Sequence, residues 1–102
     1  MSAEASVFSG PIILNAILKG KPGKGDEIAK LLSAIRANAN SNAEPGCSTF
    51  RTARHGDNFV VFEKYDDQKA VQFHFESKYF KALVAADVLD GPPSLLYYEE
   101  FS

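Results

Sequence analysis

The chain has 102 residues, 45% hydrophobic and 24% charged, with a net charge of -2. That length suits one compact domain, and the absence of a basic block argues against a phosphate backbone as partner. Its apolar runs, such as IILNAIL, stop well short of the ~20 residues that span a bilayer.

Residues 1–10, MSAEASVFSG, read as a flexible leader or an arm that packs on something, and residues 11–102 as a single domain. The leader shows no basic stretch followed by an apolar one, so no secretory signal is expected. A single cysteine, Cys47, leaves no internal disulfide, which suits a cytoplasmic location. After Pro11, residues 12–18 have the β-branched content of a strand and are apolar on both faces: Ile12, Leu14, Ala16 and Leu18 on one, Ile13, Asn15 and Ile17 on the other. Such a strand is covered on both sides. In so short a chain, helices cover one face and a second subunit is the natural cover for the other.

KGKPGKG breaks the chain. From Asp26, the spacing of Ile28, Leu31, Leu32, Ile35 and Ala39 gives one helical stripe, with Asp26 and Glu27 at the positive end of the dipole. The helix fades in NANSNAEPG. Residues 47–54 and 59–65 form a hairpin turning at His55-Gly56-Asp57-Asn58. Asp66-Asp67 caps a helix over residues 68–75, Ser77 caps another that ends near Ala86, and residues 95–101 form the last strand. The order β-α-β-β-α-β predicts an α+β, ferredoxin-like fold: a four-stranded antiparallel sheet with helices on one face and the other left for a homodimer partner.

Two histidines and one cysteine in no ligand spacing argue against a protein-built zinc site, and no glycine-rich loop has phosphate-binding form. The candidate residues are few. His74, in FHFESKYF, is either a general base among aromatic rings or a core histidine bonded to a carbonyl. Asn15 is the one strongly polar side chain within the first strand; it either holds a substrate oxygen or bonds a neighbouring loop. Phe62, Phe73, Phe75 and Phe80 either wall an apolar cavity or pack the core and dimer interface. Tyr65 either stacks on a flat substrate or packs the strand–helix junction. Cys47 reads as a small buried hydrophobe, and His55 as a solvated turn residue.

KPGKGDEI, EPGCSTF, NFVVFEKYDD and HFESKYFKAL, in this order and spacing, resemble the antibiotic-biosynthesis monooxygenase family of dimeric α+β-barrel proteins, over residues 12 to 101. The resemblance implies two protomers packed sheet against sheet, each with its own cavity. It also implies oxygenation of a phenol, anthrone or hydroquinone to a quinone, with molecular oxygen and no metal or flavin cofactor. Catalysis would fall to His74 and Asn15, and substrate binding to Tyr65, Phe62, Phe73, Tyr79 and Phe80. Tyr65 stands where many relatives have tryptophan, and Tyr79 where some have a second histidine. The haem-degrading branch has a histidine soon after Phe-Lys-Ala; here Phe80-Lys81-Ala82 leads into Leu83-Val84-Ala85-Ala86, which disfavours haem. A cyclase or lyase using the same pocket without oxygen, or a ligand-binding dimer without turnover, are the competing expectations.

Overall fold

The computed structural model describes residues 8–102. The elements are β1 (Ile12–Lys19), α1 (Gly25–Ala39), β2 (Cys47–His55), β3 (Asn58–Tyr65), α2 (Gln68–Phe75), α3 (Lys78–Ala85) and β4 (Ser94–Glu99). The sheet runs in the order β2-β3-β1-β4 and every pairing is antiparallel. This is the ferredoxin-like α+β fold that the element order predicts. β4 ends at Glu99, two residues before the expected Phe101.

Strand alternation decides which face the helices cover. Ile12, Leu14, Ala16 and Leu18 of β1 are buried, as are Phe59, Val61, Glu63 and Tyr65 of β3. Ile28, Leu32 and Ile35 of α1, Val71 of α2 and Leu83 of α3 pack onto that side. The opposite side carries Ile13, Asn15 and Ile17 of β1, with Val60 and Phe62 of β3 beside them in register. Ile17, Val60, Phe62 and Tyr98 are exposed there.

The connections have local causes. The hairpin turns on Gly56, whose φ of +64° suits a residue without Cβ. Asp57 follows and accepts from the backbone N–H groups of Gly23 at 3.0 Å and Gly25 at 3.0 Å, capping the start of α1 from the β2–β3 turn. Asp67 accepts from Ala70 N–H at 2.9 Å and Ser77 from Phe80 N–H at 3.1 Å, which start α2 and α3 where expected.

The expected leader lies outside the described residues as far as residue 7. Phe8 packs on the cluster of Ile12, Leu14, Tyr65 and Val71, and the N–H groups of Ser9 and Gly10 bond Glu99.

Candidate functional site

Three ionisable side chains sit among the apolar ones on the helix side of the sheet. Glu44, Glu63 and His74 are 2%, 3% and 2% exposed. Burying such groups unpaired is costly, so their partners define the site. His74 lies on the buried face of α2 with Val71. Glu63 is held on β3 between Val61 and Tyr65, on the same face. Glu44 comes from the loop after α1. That loop is seated against α2 at Gly46, where a Cβ would stand 2.5 Å from the Ala70 Cβ.

His74 Nδ1 lies 2.8 Å from Glu44 Oε1. The other oxygen of Glu44 accepts from the Asn38 side-chain amide at 2.7 Å. With both Glu44 oxygens accepting, Nδ1 carries the imidazole proton and Nε2 keeps its lone pair. Nε2 is 3.6 Å from Glu63 Oε1, beyond hydrogen-bond reach. The Tyr65 hydroxyl donates to the same Glu63 oxygen in a short bond.

Burial lowers the His74 pKa, against the pull of its Glu44 bond and charge, so the ring is neutral near pH 7. Burial pushes Glu63 from an ordinary 4.5 up to about 8; the Tyr65 bond opposes the rise and the Glu44 charge adds to it. Burial and the Glu63 charge also raise the Tyr65 hydroxyl well above its usual range. At neutral pH the site therefore pairs a carboxylic acid with an unprotonated imidazole nitrogen.

The pKa of Glu63 has a consequence for stability. Between pH 4.5 and 8 the folded chain holds a proton that the unfolded chain has released, so stability falls as pH rises. His74 has the opposite sign, but the unfolded ring is already half neutral at its ordinary 6.5 and loses the rest of its proton within about one pH unit, so it offsets only a small part of the drop. Cys47, raised to about 11 from 9.0 by burial, titrates above this window. From pH 6.5 to 8 the unfolding free energy is therefore expected to drop by about 1–2 kcal/mol, and the drop to vanish in Glu63→Gln. Denaturant unfolding across that range reads it; a wild-type curve that stays flat contradicts it.

Glu63 and His74 line a cavity of about 30 Å³ with Phe50, Phe75, Phe80 and Leu83. That is room for about one water. The Phe75 and Phe80 rings meet edge to face at 4.8 Å, and both pack on His74, with centroids 5.4 Å and 6.2 Å away. An aromatic guest needs more room than this cavity offers.

The structure brings together only part of the expected site. His74 and Phe80 share the cavity. Asn15 does not: strand alternation puts it on the open sheet face, between Phe62 and Leu96 in register, with the whole sheet separating it from His74. Phe62 is on the same open face, 43% exposed, and Phe73 is 55% exposed on the outer side of α2. Tyr79 packs on the main core cluster beside α1 and lines a surface groove with Phe73, not the cavity. Tyr65 is fully buried behind Glu63, where its hydroxyl is spent on that carboxyl and its ring lies 5.5 Å from His74. It supports the site without facing a guest.

Glu44 and Glu63 were missed. Glu63 had a signal: in NFVVFEKY the alternation of Phe59, Val61 and Tyr65 marks one buried face, and Glu63 is on it. Glu44 had none, because its neighbours Asn42, Ala43, Pro45 and Gly46 read only as a loop.

No helix among the described residues is long and apolar enough to cross a membrane. Among curated proteins, the chain is 35% identical to YcnE, a proposed monooxygenase of Bacillus subtilis, over 79% of this chain and 88% of that one. It is 29% identical to the uncharacterized protein sll1783 of Synechocystis over 87% of this chain, a stretch that spans 63% of that longer protein. Among solved structures, it superimposes on a proposed antibiotic biosynthesis monooxygenase from Caulobacter crescentus with a TM-score of 0.83, at 30% identity and 93% coverage of both chains. Residues 11–86 match the family described as antibiotic biosynthesis monooxygenase, and the chain belongs to that family.

Proposed function

We propose that the protein is a cofactor-independent monooxygenase for an electron-rich phenol, anthrone or hydroquinone. The observation that carries this reading is the His74 imidazole, held at Nδ1 by Glu44 and left with a basic Nε2 beside Glu63 on an apolar cavity. Family membership supports the reaction class.

Nε2 takes the proton from the phenol hydroxyl, or from the acidic carbon of an anthrone. With a phenol, the protonated Glu63 donates to the same oxygen as negative charge develops on it, the role expected of Asn15. The substrate anion passes one electron to molecular oxygen, and the two radicals combine into a peroxide. With an anthrone, the peroxide loses water: one oxygen atom stays on the carbon as the new quinone carbonyl and the other leaves in the water. The substrate supplies all the electrons, so the reading requires neither metal nor flavin. The protein contributes orientation and exclusion of water.

A cytoplasmic homodimer completes the proposal. The uncovered sheet face, where Ile17, Val60, Phe62 and Tyr98 are exposed, supports a second copy packed against it.

Oxygen consumption with an anthrone probe tests the activity: one O2 is expected per quinone formed, and none without protein above the background rate. Product formed equally well without oxygen would favour a second reading, a cyclase or isomerase. The pairing of a protonated carboxyl with a neutral imidazole supports that alternative, because such a pair can give one proton and take another with no redox step.

A further inference from the structure

The cavity meets a guest with carboxyl groups and no cation. Glu63 and His74 are the ionisable residues lining it, no lysine or arginine does so, and Glu44 stands directly behind His74. A guest carboxylate would lose its hydration here and gain no opposite charge, with the Glu44 carboxylate on the far side of the His74 ring. A neutral hydroxyl meets complementary groups: it donates to Nε2 and accepts from the Glu63 acid, across a gap of 3.6 Å that the two leave open. Resting on the oxygenase reading, we infer that the site takes uncharged hydroxylated rings and rejects the same rings bearing a carboxylate, with the Glu44 carboxylate behind His74 setting the distinction.

Two probes of nearly the same shape isolate charge from size: 2,5-dihydroxybenzamide and 2,5-dihydroxybenzoate, with unsubstituted hydroquinone as reference. Binding is measured calorimetrically at pH 7 under nitrogen, so that nothing is turned over. The benzamide is expected to bind within a few-fold of hydroquinone, and the benzoate about tenfold or more weakly, as expected for a dehydrated charge with a like charge across one imidazole ring. In Glu44→Gln, which keeps the shape and removes the charge, the gap between benzoate and benzamide narrows at least threefold. Equal binding of the two by the wild type overturns the inference, with no variant needed. An unchanged gap in a folded Glu44→Gln overturns the role of Glu44. Hydroquinone binding alone would make size the selector, which also overturns it. If none of the three binds, the oxygenase reading itself fails.

Discussion

His74→Gln is expected to lower kcat by about 10²–10⁴-fold while the chain stays folded. A glutamine amide can donate to Glu44 as Nδ1 does at 2.8 Å, so the buried carboxylate keeps its partner. It has no basic nitrogen to replace Nε2, so proton removal is lost. The near-equal volume leaves the Phe75 and Phe80 packing in place. Steady-state kinetics with the anthrone probe, beside a thermal melt, reads both outcomes. Phe73→Ala is the matched control: its ring is outside the cavity, so turnover is unchanged. Activity retained in His74→Gln would remove the imidazole from the mechanism and leave a buried histidine that only packs.

Glu44→Ala is expected to have the largest effect on stability, lowering it by about 3 kcal/mol, on the order of 10–20 °C in Tm. Both carboxyl oxygens are in use, one on His74 and one on the Asn38 amide 2.7 Å away, so truncation strands two buried donors at once. Glu44→Gln separates position from packing. Its amide keeps the fold, but it offers one acceptor oxygen where two were needed. With that oxygen given to Asn38, the NH2 faces Nδ1 and drives the proton to Nε2, removing the base. The variant is then expected to melt near the wild type yet turn over far more slowly. Equal losses of stability and activity in both variants would make Glu44 a structural residue only.

The fold was legible because its signals are local. The stripe of Ile28, Leu32 and Ile35, the caps Asp67 and Ser77 and the glycine turn at Gly56 each act within a few residues, and each produced its element. The site was legible only in part, because it is assembled across the fold. His74 stood out as an imidazole among rings. Glu44, thirty positions away, becomes its partner only once the α1–β2 loop folds over α2. Asn15 drew weight as a polar residue in an apolar strand. Its alternation with Ile12, Leu14 and Ala16 already placed it on the other face, and the side that the helices cover turned that into a correction. The ring positions show the same limit: Phe73 and Phe80 look alike in sequence, yet α2 turns Phe73 outward while α3 carries Phe80 to the cavity.

The measurement closest to the chemistry is the ¹⁵N spectrum of the His74 ring at pH 7. Everything proposed for this protein requires a neutral ring, protonated at Nδ1 toward Glu44 and bare at Nε2 toward the cavity. The expected spectrum has one protonated and one unprotonated ring nitrogen, with the proton coupled to Nδ1. Two protonated nitrogens, or a proton on Nε2 alone, would show that the chain holds no base at this site.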